Sequence, residues 1–393
     1  MGNASSAYDL IVVGGGPSGS SAARRAGLLG LRTLLVEKEA FPRYKACAGA
    51  LSETARRLLD FELPAELCGP QILGARAHYR GRCVECQMPF PLATTVTRSL
   101  FDDYLLQKAR EAGVEVKMAE RALGFTQTAD RVELQTSQGA YRSPFLLVAE
   151  GSQGRLVRQV RRKDRPTEFA ACLVTEVELG EEAVTSRFGH LADIHFGVVP
   201  LGYAWILPHR RHLSVGVGGL GKGLHNLKGR LVGFLAAQGL SGGGPFRAHT
   251  VPVGGKRRRL ASGRVLLCGD AAGFADAWTA EGIAYAIRSG QIAAEVIGRA
   301  AAGTANPTCL QEYPALCHRE FGRGLRHSFL LAALLHGLSG LTYRVLASNE
   351  RALAKTLELP AGRASHGEVL RWLLWRFPWL VLGSLRPQSG HRP

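Results

Sequence analysis

The stretch Tyr8-Asp9-Leu10-Ile11-Val12-Val13-Gly14-Gly15-Gly16-Pro17-Ser18-Gly19 constrains this chain more than any other. Leu10 to Val13 reads as a short buried strand, and Gly14, Gly16 and Gly19 fit G-x-G-x-x-G. The run Ser20 to Ala26 suits a helix, and a second strand, Leu31 to Val36, ends in Glu37. The acid of this βαβ unit stands about twenty residues past the glycines, as a dinucleotide fingerprint requires. Gly14 permits the tight turn. Gly16 lets backbone N–H groups approach a pyrophosphate, and Gly19 lets helix and strand pack closely. The helix N-terminus adds partial positive charge, and Glu37 would accept from ribose hydroxyls. The fingerprint alone does not separate NAD from FAD. A structural turn without a ligand would not need all these parts together.

With 393 residues, 46% of them hydrophobic, the chain can build two or more cores. Its formal net charge of +17 favours anionic partners such as phosphorylated substrates or anionic lipid. No zinc-finger spacing or aromatic-basic alternation is present, so nucleic acid is not expected as a partner. Eight cysteines, Cys47, Cys68, Cys83, Cys86, Cys172, Cys268, Cys309 and Cys317, are spread along the chain without a signal peptide. The expected setting is a reduced cytoplasm. Cys83-Val84-Glu85-Cys86 lacks a second pair at zinc spacing and a histidine cluster beside it. It is expected to be structural or incidental, and no metal is expected. Met1 to Ser6 matches the permissive myristoylation pattern at Gly2 and reads as a leader.

The segment Phe41 to Ser52 follows the second strand as a loop of small residues with Arg43, Lys45 and Cys47. Small residues there let a flat ring approach the backbone. Residues Ser52 to Asp60 look helical. Ile72 to Tyr79 and Arg82 to Gln87 alternate like strands, and Thr97 reads as the N-cap of the next helix. Arg131 to Thr136 and Tyr141 to Val148 read as further strands, the last running into a turn at Gly151. Glu168 to Leu179, Ile194 to Val199, Gly202 to Pro208 and Leu213 to Gly218 make a β-rich block, with Pro208 to His212 as a turn. A helix spans roughly Leu224 to Gln238. The buried strand Arg264 to Cys268 then runs into Gly269-Asp270-Ala271-Ala272-Gly273. Asp270 is placed to accept from a ribityl hydroxyl. Glu281-Gly282-Ile283, at a helix start, would aim N–H groups at the pyrimidine edge of a flavin, where reduction creates negative charge.

Three separated motifs, the fingerprint, Arg98 to Asp102, and Gly269-Asp270 with Glu281-Gly282, resemble FAD-dependent oxidoreductases with the fold of para-hydroxybenzoate hydroxylase. Phe41-Pro42-Arg43-x-Lys45-x-Cys47-x-Gly49 and Tyr203-x-Trp205-x-x-Pro208 narrow the resemblance to the geranylgeranyl reductase family, which saturates isolated double bonds of polyprenyl chains. The likeness covers roughly residues 8 to 300. Departures include Ala48 for a second Gly, Glu150 for Asp, His209 for Lys, Asp276-Ala277 for Asn-Pro and Ala280 for Gly.

The resemblance implies an α/β fold. A Rossmann-like FAD domain (1–65, 96–165, 256–305) interleaves with an antiparallel β-sheet substrate domain (66–95, 166–255), and 306–393 form a helical C-terminal region. It implies FAD held by Gly14, Gly16, Ser18, Gly19, Glu37, Lys38, Lys45, Ala48, Gly49, Arg98, Gly151, Gly269, Asp270, Gly273, Glu281, Gly282 and Ile283. Cys47, Tyr203 and Trp205 would be catalytic, Cys47 as proton donor or pocket residue. Tyr203 and Trp205 alternate along a strand and so share a face.

An isolated alkene is a poor electrophile, so protonation at one carbon must accompany hydride arrival at the other. An apolar pocket and aromatic faces would favour this. With no second fingerprint, the reductant would be NADPH bound transiently or a reduced electron carrier. A flavin monooxygenase or halogenase is the alternative on the same fold, followed by a non-enzymatic flavin carrier. Leu370 to Leu382, broken by Arg and Pro, is too interrupted for a span. With its Trp and Arg it suits peripheral contact with a membrane surface.

Overall fold

A computed structural model describes residues 8–385, apart from 163, 166–167, 221–224, 242 and 304–309. Gly2 and Cys309 lie outside the described residues. The chain builds an α/β architecture on two main sheets. The first has six strands, in the order Ala261–Ser262, Val265–Leu267, Phe145–Val148, Leu10–Val13, Thr33–Val36 and Glu115–Lys117. Its pairs are parallel except the outermost, Ala261–Ser262 with Val265–Leu267. Leu10–Val13 (β1), Thr33–Val36 (β2) and Phe145–Val148 are buried at every position. Strands covered on both faces need such continuous apolar runs.

The helix Pro17–Leu28 (α1) crosses from β1 to β2 and packs on the long helix Ile283–Ala301. One glycine lets α1 close on the β1 turn and another lets the two helices meet. A Cβ on Gly19 would stand 1.8 Å from the Gly14 carbonyl oxygen, and one on Gly290 would stand 2.3 Å from that of Ser18. The N-terminal fingerprint and the C-terminal flavin helix therefore meet backbone to backbone.

The second main sheet has seven strands, in the order Arg247–Pro252, Phe169–Glu178, His212–Leu220, Gly202–Pro208, Leu191–Phe196, Gly74–Tyr79 and Arg82–Gln87. All pairs are antiparallel except Leu191–Phe196 with Gly74–Tyr79. One face, with Ala204, Ile206 and Val217, packs on Val184 and Phe188 of the Glu181–Phe188 helix and Phe234 of the Leu227–Ala237 helix. The other face, with Trp205 and Leu207, meets Ala48, Ile72 and Ala361.

Several local expectations are corrected. The helix expected over Ser52 to Asp60 is the short Glu53–Arg57, with Ser52 as its N-cap, because Asp60 is drawn away into an ion pair with Arg24. The strand expected over Ile72 to Tyr79 is two, Cys68–Ile72 and Gly74–Tyr79, which join different sheets. Tyr141 to Val148 divides at Pro144 into Ala140–Ser143 and Phe145–Val148. Proline has no N–H for a ladder. Thr97 takes the N-cap position of Arg98–Glu111 without a side-chain hydrogen bond.

The segment read as broken, Leu370 to Leu382, lies inside one continuous helix, His366–Ser384. Ser365 and Glu368 form a capping box at its start. Val369, Leu373 and Leu380 bury one face among Leu331, Tyr343 and Leu346 of the preceding helices. That anchorage carries the helix through Pro378, where one backbone hydrogen bond is missing. Among the described residues no single helix is long and apolar enough to cross a membrane.

Candidate active site

The fingerprint turn sits at the carboxyl ends of the parallel strands, where open α/β sheets bind ligands. Gly14 has φ +106, and a Cβ there would lie 2.4 Å from the Ala149 carbonyl oxygen. In front of Gly16 a Cβ would meet only an Arg43 nitrogen at 3.7 Å, and beside Gly151 nothing within 4 Å. The N-cap of α1, Gly16, supplies no side-chain cap, and Pro17 opens the helix. Backbone donors thus face an open cradle, which fits a pyrophosphate.

Glu37 is buried at the end of β2. Its Oε2 accepts from Gly15 N at 2.6 Å and its Oε1 from Glu39 N at 2.9 Å. The carboxylate is thereby fixed to the glycine turn, with lone pairs left for ribose hydroxyls. Lys38 is half-exposed and 3.8 Å from Glu39. Ser18 and Gly269 are in close approach: a Cβ on Gly269 would be 2.9 Å from that of Ser18. Gly273, at φ +80, lies against the Arg258 guanidinium. Gly282 caps Ile283–Ala301 without a side chain, so the first N–H groups of that helix also have no cap partner.

The Phe41 to Ser52 loop is clamped from two sides. Arg98 makes a bidentate pair with Asp102, 2.8 Å on each arm, and Asp102 also holds Arg43 at 3.1 Å. Burial opposes charge on Arg98, but Asp102 and then Cys47 outweigh it, so the guanidinium stays cationic beside the thiol. On the other side His209 Nε2 bonds the Ala48 carbonyl oxygen at 2.9 Å. Gly49, at φ +82, leaves room for that ring: a Cβ would meet His209 Cε1 at 2.7 Å. The Cys47 sulfur accepts from Gly49 N at 3.4 Å. Lys45 reaches His249 Nε2 at 3.0 Å, and His249 stands 3.9 Å from Asp270. Burial pushes the Lys45 amine down, against the pull of Asp270.

Tyr203 and Trp205 do share a face, with ring centroids 6.1 Å apart. The Trp205 indole lies flat on Gly216, where a Cβ would meet it at 2.2 Å. Trp205 and Ala48 pack into one apolar cluster, which joins the aromatic wall to the Cys47 loop. The Tyr203 hydroxyl donates to the Thr279 carbonyl oxygen at 3.3 Å. Two residues on, the half-buried Glu281 carboxyl accepts from Ser52. Burial pushes Glu281 up to about 7, with Ser52 opposing. The strand-end motif, the loop and the aromatic strand are therefore one assembly.

Sequence reasoning missed His249; His209 lies in the expected turn, and what the sequence did not show is its burial against the Cys47 loop. A histidine on a strand edge carries no spacing signature. Asp276, the departure from Asn, accepts from Trp278 N and Thr279 N at 2.8 Å each, from Ser328 at 2.6 Å, and pairs with His366. It ties the C-terminal helices to the flavin-motif segment.

These residues fit FAD, and comparison with known proteins agrees. Residues 9–144 match the family of FAD dependent oxidoreductases. The digeranylgeranylglycerophospholipid reductase of Methanocaldococcus jannaschii is 28% identical over 316 residues, 75% of this chain and 77% of that protein. A geranylgeranyl bacteriochlorophyll reductase-like protein of Thermoplasma acidophilum superposes with a TM-score of 0.80 at 23% identity, over 95% of this chain and 98% of that one. A flavin-dependent brominase superposes at 0.74 with 20% identity, over 95% and 99%. At such identities the superpositions speak for the fold alone. Fold and site together define an FAD-dependent oxidoreductase. Within that class the chain is similar to geranylgeranyl reductases.

Proposed function

We propose that the protein saturates isolated C=C bonds of a polyprenyl diphosphate, lipid or quinone. The observation that carries this reading is the joining of the Cys47 loop to the Tyr203–Trp205 wall through one apolar cluster. Reduced FAD, when bound, supplies a hydride equivalent. The chain's residues do the rest. Gly16, Ser18, Gly19 and Ile283 would hold the cofactor by backbone donors at two helix starts. Ala48 and Trp205 offer apolar contact to an isoprenoid and exclude water, which sharpens local electrostatics. The aromatic rings stand ready to stabilise cationic character at the tertiary carbon. Cys47 holds the proton to be delivered, with Arg98 beside it to stabilise the thiolate left behind. Glu281, joined to the loop through Ser52, is a second acid that keeps its proton up to near neutral pH.

The donor of electrons is NADPH or a reduced carrier, acting transiently. The polyprenyl substrate places the enzyme in the cytoplasm at a membrane surface. Support comes from the C-terminal helix, where Trp375 and Trp379 are 68% and 65% exposed.

Anaerobic stopped-flow mixing of reduced enzyme with a geranylgeranyl lipid tests the role of Cys47. The wild type is expected to reoxidise. Cys47→Ala is expected to keep its FAD and reoxidise about a hundredfold slower, the usual loss for a positioned proton-transfer group. Unchanged reoxidation with a shifted substrate affinity would make Cys47 a pocket residue only.

A further inference from the structure

We propose that His78, Asp193 and His195, with Cys83 beside them, form a site for a divalent transition metal of the zinc class, on the sheet face turned away from Tyr203 and Trp205. Neither the reductase reading nor the flavin is needed for this.

The placement follows from register. The parallel pairing of Gly74–Tyr79 with Leu191–Phe196 sets Arg76 opposite Asp193 and His78 opposite His195. The antiparallel pairing with Arg82–Gln87 sets Cys83 opposite His78. Because side chains alternate along a strand, these residues share one face. That face is the one of Ala204 and Ile206, which stand opposite His195 and Asp193 on the next strand. A hairpin and a strand about a hundred residues further on thus converge. The cysteine pair at 83 and 86 gave no hint of it, because its histidine partner on the far strand is more than a hundred residues away.

The geometry favours coordination. One ligand atom each from His78, Asp193 and His195 lies within 4.8 Å of the others. The two imidazoles are stacked, with centroids 4.1 Å apart, so one ring turns when both nitrogens take the same ion, and Phe234 closes the edge of His195 at 4.8 Å. His195 Nε2 is buried and has no hydrogen-bond partner. A buried orphan of this kind destabilises the fold unless something engages it. Arg76 donates to Asp193 Oδ1 at 2.6 Å, which turns Oδ2 toward His78 Nε2 at 3.8 Å. This is the outer-shell contact that orients a ligating carboxylate. The Cys83 sulfur lies 3.9 Å from His78 Nε2. Cys83 is exposed and His78 partly so, which gives an ion a way in.

Two imidazoles, a carboxylate and a thiol suit zinc and not calcium or magnesium, which take oxygen ligands. The site spans the parallel pairing by which the Gly74–Gln87 hairpin joins the rest of the sheet. An ion there would staple the hairpin in place and stabilise the folded state by mass action.

The test uses full-length, FAD-loaded protein, stripped by a chelator and titrated with Co2+ alone. Binding is read beyond the flavin absorption. One saturable equivalent with tetrahedral bands is expected, and Zn2+ should displace it and raise the thermal midpoint. His195→Gln and Asp193→Asn should lose the bands while FAD content shows them folded. Cys83→Ser should lose the thiolate charge-transfer band. Absence of saturable binding, or equal binding by wild type and His195→Gln, would overturn the proposal.

Discussion

His209 bonds the backbone of the Cys47 loop from a buried position in the turn after the aromatic strand. Burial pushes its imidazole down to about 4, the Ala48 bond opposes, and His212 adds to the fall. The unfolded side chain titrates near 6.5. Between those values the unfolded state binds a proton that the folded state refuses. Stability is therefore full above about pH 6.5 and falls as pH drops toward 4, by about 3 kcal/mol for this group. His209→Gln keeps a donor but does not titrate. Its thermal midpoint should decline less than the wild type's between pH 6.5 and pH 4. The same decline in both proteins would remove His209 from the acid response. Ala48 stands where the family has a second glycine, and its carbonyl is what His209 holds.

At the scale of elements, the contact of α1 with Ile283–Ala301 unites the two flavin motifs; Gly290 sets its closeness, and Gly19 sets that of α1 to the β1 turn. Gly19→Ala must push α1 off β1. Overpacking of this kind costs about 1–3 kcal/mol or more, and the purified variant should lose FAD and unfold at lower urea than wild type. Retained FAD with an unchanged midpoint would contradict the packing account. The βαβ unit was legible in the sequence because its strand, turn, helix and acid lie within thirty residues and each has a local chemical job. Gly290 was not, since its partner is at the opposite end of the chain. Nor were the Lys45–His249–Asp270 contacts, which strand pairing creates. The C-terminal region reads as helical and too interrupted for a span, which holds, but the sequence reading did not draw the helix start from the capping box Ser365-x-x-Glu368. Its continuity comes from the packing of Val369, Leu373 and Leu380, a tertiary cause that the local pattern does not display.

For the whole molecule, the net charge of +17 and the exposed Leu374, Trp375, Trp379 and Leu382 on one terminal helix bear on where the enzyme works. Aromatic side chains beside Arg371 and Arg376 suit the interface of an anionic bilayer. Each basic residue near such a surface contributes about 1 kcal/mol, and salt screens it. Wild type should float with anionic vesicles at low salt, and Trp375→Ser with Trp379→Ser should not. Equal flotation with neutral lipid would count against this surface. Pre-reduced enzyme is incubated without oxygen with geranylgeranyl diphosphate, a geranylgeranylated lipid and a prenylquinone, and the products are read by mass. The account predicts a gain of two hydrogens in at least one of them. No gain in any, together with a hydroxylated or halogenated aromatic product once oxygen is admitted, would contradict it.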